Sequence, residues 1–226
     1  MLILYTSGST GPAKKVSHSW EFIRECAHKT IKEQGLASHD RVIDVFPHNT
    51  IAHWTLSALP AFLAGAEYHS MKFTAKFFIE KFKEVQPTIL NLIPRHLEML
   101  QENEEFDNLD MSCVRYMTLG AAPVTQKMVD EFRNRGVMLV AVTYGMTECP
   151  PPMMIGYNRP QFSYIDPNIT FTDDMEAIIG TVKTGDYFIE IDQHHGDGES
   201  GALVNKDKVN TERSYRAIFN QRELSN

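Results

Sequence analysis

The chain has 226 residues, 42% hydrophobic and 23% charged, with a formal charge of −7. That balance describes a folded globular chain of one large or two small domains and excludes wholesale disorder or a fibrous repeat. The negative charge argues against a general nucleic-acid binder, which needs a basic face, and no apolar window approaches the roughly 18 residues of a membrane span.

In chain order, short apolar runs alternate with longer amphipathic ones as far as about residue 143. Strands are predicted at LILY (2–5), VIDVF (42–46), AEYHSM (66–71), TILNLI (88–93), VRYMTL (114–119) and VMLVAV (137–142). Helices are predicted over 17–34, 51–64, 75–85, 94–102 and 124–135, with Gly35 and Gly136 as stop signals and Pro94 and Pro123 at starts. Strand and helix in alternation predict an α/β fold, a parallel sheet flanked by helices.

After Thr143 the texture changes. ECPPPMMIGYNRPQFSYIDPN holds five prolines and reads as a long loop. From 176 onward EAIIGTV, YFIEID and ALVNKD predict a small antiparallel β appendage, and the tail from 209 a short helix at most. The expected division is an α/β domain over 1–150 and a loop with a small β subdomain over 151–226.

Cys26, Cys113 and Cys149 are odd in number, far apart and without a CxxC pair, so neither a disulfide framework nor a structural zinc site is expected. LILY is too short for a signal-peptide core and lacks a basic stretch before it, so the expectation is a cytoplasmic protein.

Chemistry concentrates in three places. YTSGSTGPAK sets two glycines, several hydroxyls and a lysine after the first strand, an inventory suited to a phosphate or to an ordinary surface loop. It is no G-x-x-x-x-G-K-[ST] loop, because Ala13 stands where the second glycine belongs and Lys15 follows Lys14. It contains no G-x-S-x-G either, since Ser7 occupies the first glycine position. Further on come LGAAPV (119–124) and TYGMTE (143–148).

Together these stretches resemble the adenylate-forming superfamily of acyl- and aryl-CoA synthetases, luciferases and peptide-synthetase adenylation domains. The family loop T-S-G-S-T-G-x-P-K-x-V is met by Thr6, Ser7, Gly8, Ser9, Thr10, Gly11, Lys14 and Val16, with the proline moved to Pro12. The resemblance implies that the domain over 1–150 is nucleotide-binding, that this loop holds ATP phosphates and that Lys14 meets the outer ones. It implies that Gly120, Ala121, Ala122 and Pro123 pass along the adenine. For Tyr144, Gly145, Thr147 and Glu148, the Y-G-x-T-E positions, it implies a ring stacked on adenine, a hydroxyl on phosphate and a carboxylate holding Mg2+. Thr147, Glu148 and Lys14 are thereby the expected catalytic contributors. FPHNTIAHWTLSALPAFLAGAEY resembles the family's substrate-pocket helix, and His48 and His53 both compete for the place beside the acyl group.

The implied reaction joins a small carboxylic acid and ATP into an acyl adenylate and pyrophosphate. Family members are longer, with a region before the loop and, later, a ribose-binding aspartate in a TGD motif and a mobile domain carrying a catalytic lysine. Thr184-Gly185-Asp186 spells TGD but precedes GESGALV, the reverse of the family order, so Asp186 is not read as the ribose ligand. The expectation is a truncated ligase-like protein. It would be catalytically weak or confined to nucleotide binding, with truncated edges that favour a homo-oligomer or a partner supplying the missing domains.

Overall fold

The computed structural model describes residues 1–6, 13–191 and 202–205. Ser7, Gly8, Ser9, Thr10 and Gly11 of the loop and the tail predicted from 209 lie outside the described residues. Among the described residues no helix is long and apolar enough to cross a membrane.

The apolar runs form a seven-stranded sheet in the order β4-β3-β5-β6-β7-β8-β9. Its strands are β3 (Arg41–Asp44), β4 (Glu67–Ser70), β5 (Ile89–Leu92), β6 (Tyr116–Gly120), β7 (Val140–Tyr144), β8 (Met154–Tyr157) and β9 (Tyr164–Ile165). Five strands, β4 to β7 in that order, run parallel, and β8 and β9 add an antiparallel edge. Every residue of β5, β6 and β7 is buried, as strands covered on both faces require.

Helices cover both faces. α3 (Ala75–Val85) starts where the Thr74 hydroxyl accepts the Phe77 N–H at 3.3 Å, and it buries Phe78, Ile79, Phe82 and Val85 at helical spacing. With α4 (Pro94–Gln101), α5 (Glu104–Asp107) and α6 (Gln126–Asn134) it packs on Leu90, Leu92, Met117, Leu119, Val140 and Val142. The opposite face, Val42, Ile89, Tyr116 and Ala141, meets α1 (Trp20–Gln34) and α2 (Leu59–Ala64).

Three features depart from the sequence expectations. LILY does not join the main sheet: β1 (Leu2–Tyr5) pairs antiparallel with β2 (Lys15–His18) as a separate ribbon, its Leu2 and Leu4 packed on Ile23 and Ile51. β2 occupies the start of the predicted 17–34 helix, which begins only after Ser19, whose hydroxyl accepts the Phe22 N–H. The helix predicted over 51–64 opens as a wide π turn, His53–Ala58, before α2. Its carbonyls are claimed by side chains from elsewhere: Thr30 Oγ1 donates to Thr55 O at 2.7 Å and Asn91 Nδ2 to Leu56 O at 3.0 Å.

The third departure is β8. Proline bars a residue from the interior of a ladder, yet Met154–Tyr157 lies between Pro152 and Pro160 and pairs with β7. The predicted loop is thus partly sheet. Beyond it, β10 (Ile169–Phe171), β11 (Glu176–Ile179), β12 (Val182–Ile191) and β13 (Ala202–Asn205) form the antiparallel appendage. Ile169, Ala177, Ile179 and Phe188 belong to the same apolar cluster as the main core, so the appendage is packed onto the sheet.

Candidate nucleotide and acyl site

A cavity of about 530 Å³ opens at the carboxyl ends of β5, β6 and β7. One wall is the turn after β6. A side chain at Gly120 would place its Cβ 2.4 Å from the Thr143 carbonyl oxygen, so only glycine lets β6 and β7 approach this closely. Ala121 then takes a left-handed φ of 61°, which turns the backbone across the cavity. A second wall is Gly145–Glu148. At Gly145 a Cβ would sit 2.6 Å from Pro151 Cα, so the chain turns tightly under the proline segment. Met146 and Cys149 close the turn with reciprocal backbone hydrogen bonds of 2.9 and 3.1 Å.

The ribbon supplies the third wall. Thr6 and Lys14 face each other at the end where the chain passes from β1 to β2: Thr6 N–H donates to Lys14 O at 3.0 Å and Lys14 N–H to Thr6 Oγ1 at 3.3 Å. His18, at the other end of β2, places Nε2 2.8 Å from the Thr147 carbonyl oxygen and so ties the ribbon to the TYGMTE turn. Nothing in the sequence pattern singled His18 out. Thr6 and Tyr5 line the cavity together with Thr147 and Glu148.

Of the residues expected at the site, the cavity gathers Thr6, Gly120, Ala121, Gly145, Thr147 and Glu148. Ala122 and Pro123 follow just beyond the wall, and the Lys14 side chain is exposed at the ribbon end. Tyr144 is elsewhere. Strand residues alternate in facing, and with Thr143 on the cavity the Tyr144 ring turns into the core, edge-on to Phe188 at 5.3 Å. Its hydroxyl donates to Asp186 at 2.5 Å. Burial, then the Asp186 carboxylate, holds this phenol protonated far above its ordinary range.

The two histidines are not alternatives for one place. His53 is 5% exposed, with Nδ1 2.6 Å from Asp44 Oδ2, an oxygen that also accepts the Tyr68 hydroxyl at 2.7 Å. The other Asp44 oxygen accepts the Phe46 N–H at 2.9 Å. His48 lies against the His53 ring at 4.5 Å and lines a second cavity of about 890 Å³, which shares Phe46, Thr50, Ile93 and Ala121 with the first. Within that second cavity Phe73 stacks on His96 at 4.2 Å, and burial brings the His96 imidazole down to about 4, so it is neutral at physiological pH.

The chemistry this arrangement can perform is constrained. Burial raises the thiols of Cys26 and Cys149 to about 11, which removes them as nucleophiles. Among the described residues no three His, Cys, Asp or Glu side chains cluster to hold a metal. Glu148 and Thr147 nevertheless offer oxygen donors on one turn. Magnesium characteristically binds through one or two carboxylates together with phosphate oxygens and water, so this donor set fits a magnesium ion that arrives with a triphosphate.

Comparison with known proteins points the same way. A model of the AMP-binding enzyme family matches residues 1–211. An indoleacetate–CoA ligase of Aromatoleum aromaticum is 32% identical over 153 residues, covering 66% of this chain and 30% of that protein. A long-chain-fatty-acid–CoA ligase of Mycobacterium tuberculosis is 27% identical over 149 residues, 66% of this chain and 29% of that protein. This chain therefore spans about 30% of the length of the curated relatives it matches.

In fold, the N-terminal domain of FACL13 from Mycobacterium tuberculosis superposes with a TM-score of 0.72 at 21% identity, over 91% of this chain and 59% of that one. O-succinylbenzoate coenzyme A synthetase from Bacillus subtilis, in complex with ATP and magnesium ion, gives a TM-score of 0.72 at 18% identity, over 90% of this chain and 49% of that one. The motifs, the sheet with its flanking helices and the family match over nearly the whole length agree, and the chain belongs to the AMP-binding enzyme family.

Proposed function

We propose that the first cavity binds ATP with Mg2+, and AMP, and that the chain serves the activation of a small carboxylic acid as an acyl adenylate with release of pyrophosphate. The observation that carries this reading is the convergence of Gly120–Ala121 and Gly145–Glu148, with Thr6 at the ribbon end, on one cavity at the carboxyl ends of parallel strands. Open α/β sheets bind ligands in such crevices.

In this reading the Gly120–Pro123 backbone borders the adenine, and Gly145 provides the close backbone surface that the buried Tyr144 ring does not. Ser7 to Gly11 and Lys14 hold phosphates, the Thr147 hydroxyl donates to a phosphate oxygen, and Glu148 is the protein's carboxylate toward magnesium. Magnesium bound there supplies neutralising charge to the phosphate oxygens. The carboxylic acid sits below, where Phe46, Leu56 and Ile93 exclude water, while His48 lines the second cavity together with Phe46 and lies against His53. The relative named for indoleacetate and the coumarate– and feruloyl–CoA ligases among the other matches support an aryl acid.

A second reading is nucleotide binding without efficient turnover, favoured by the Tyr144 ring, which is turned into the core and away from the cavity. A cytoplasmic setting and association with a second copy or a partner carrying further domains belong to both. Exposed Trp20 and Phe62 support the association, and light scattering tests it.

Calorimetry with millimolar ATP and magnesium tests the first statement: heat is expected, and none would contradict it. Carboxylate-dependent pyrophosphate exchange by the isolated 226 residues separates the readings. A rate about a thousandfold below that of a full-length relative, on the scale of losing one transition-state donor, supports binding without efficient turnover. A full rate abolished by Glu148→Gln supports the ligase.

A further inference from the structure

The inner end of the first cavity carries a polar group whose bonding state is fixed by its neighbours. Thr118 lines the cavity two residues before Gly120 on β6, roughly 7 Å below the strand end. It is 3% exposed, and its partner across the ladder is Asn91 on β5. Asn91 Nδ2 donates to the Leu56 carbonyl oxygen at 3.0 Å and reaches Ser57 Oγ at 3.1 Å. A carbonyl can only accept, so the amide orientation is settled, with its NH2 toward the π turn and Oδ1 toward β6.

Oδ1 is therefore an acceptor, and the 2.6 Å contact from Thr118 Oγ1 uses the hydroxyl's one proton. Gln34 Nε2 donates to the same oxygen at 3.2 Å, which fixes that amide too and leaves Gln34 Oε1 buried without a hydrogen-bond partner. Thr118 has only lone pairs left to offer. The same cavity is lined by Leu56, Leu92 and Ile93, with Thr143 on the neighbouring strand nearer its mouth.

We infer that the acid taken by this cavity has an apolar body and carries an O–H or N–H donor at the end remote from its carboxylate, received by Thr118 Oγ1. This rests on the acid-activating reading above. A bare C–H end leaves a buried acceptor unpaired, an ether or carbonyl end sets lone pair against lone pair, and a donor satisfies it. A site with a committed polar group discriminates against the analogue lacking its counterpart more strongly than an apolar pocket discriminates by size.

The test uses non-hydrolysable acyl-sulfamoyl adenosines bearing 4-hydroxyphenylacetyl, 3-hydroxyphenylacetyl, 4-methoxyphenylacetyl and phenylacetyl groups, titrated calorimetrically into the whole chain. At least one hydroxylated probe is expected to bind about tenfold tighter than the phenylacetyl probe. The preference should vanish in Thr118→Val and persist in Thr118→Ser. Asn91 Oδ1 keeps Gln34 as a donor in Thr118→Val, so the variant should fold, and thermal melting verifies this. Equal binding of all four probes, a preference that survives Thr118→Val, or binding of ATP but of no probe overturns this inference alone. Binding of neither ATP nor any probe overturns the nucleotide reading and this inference with it.

Discussion

On the face of the sheet covered by α3 to α6, Leu90, Met117, Leu119 and Val140 meet Phe78, Phe82 and Phe132, and all seven are fully buried. On the face covered by α1, the π turn and α2, the same strands present Asp44, Asn91 and Thr118, also buried and each hydrogen-bonded. Beside them Asp40 is held by Arg115 through two contacts of 2.8 and 2.6 Å, and Glu33 accepts the hydroxyls of Tyr116 and Tyr157. The first face is filled by shape. The second is organised by directional bonds, and the first cavity extends into it. A polar network fixes atom positions at a cost in desolvation that an apolar core avoids, which is sensible where a ligand's polar end must be read and wasteful elsewhere.

The contrast predicts different responses to perturbation. The largest loss should come from the apolar face: Phe82→Ala or Phe132→Ala is expected to cost about 3–5 kcal/mol, measured by urea unfolding, with little dependence on pH. Next is Arg115→Met, which leaves the buried Asp40 carboxylate without its cation and should cost about 3 kcal/mol at neutral pH.

Asp40 also has a pH signature. Burial pushes its carboxyl up, but the hydrogen bonds from Arg115, Thr88 and the Ala37 N–H outweigh this and hold it at about 2. A folded-state value below the unfolded one means that stability is fully present above about pH 4 and is lost as pH falls from there toward 2, by about 2 kcal/mol. In Asp40→Asn this part of the acid limb should disappear.

A comparable effect comes from an imidazole buried beside the apolar face. His96, brought down to about 4 by burial, binds no proton in the folded state where the unfolded chain already does. Stability should therefore decline by about 2–3 kcal/mol as pH falls from about 6.5 to 4. His96→Phe should flatten the curve over that interval and leave the Asp40 limb below it unchanged. If the two variants shift the same interval, the two faces do not titrate independently. Smallest is Lys83→Ala, which removes a half-exposed ion pair with Glu105 and should leave the urea midpoint unchanged.

Much of the apolar face was legible from sequence, because it follows from local pattern. α3 begins and ends where the Thr74 cap and the spacing of Phe78, Phe82 and Val85 place it, and the six apolar runs are all strands. The other face was less so. The π turn is held open by Thr30 and Asn91, 25 and 35 residues away from the carbonyls they bond, and no local pattern records such partners. β8 was hidden by the prolines that bound it. Two of the three motifs named turns that meet at the cavity, and the first named Thr6 on its wall, yet they did not say which way each side chain points. Tyr144 faces inward because Thr143 takes the cavity side, and His53 is drawn inside by a carboxylate nine residues earlier.

Hydrogen exchange by mass spectrometry, with and without millimolar ATP and magnesium, tests most directly whether the directional face hosts the nucleotide. The expected result is slowed exchange in peptides spanning 118–122 and 143–148, with no change in α3 or α6. Protection confined to peptides lining the second cavity, or none anywhere at saturating nucleotide, would contradict the placement of the site.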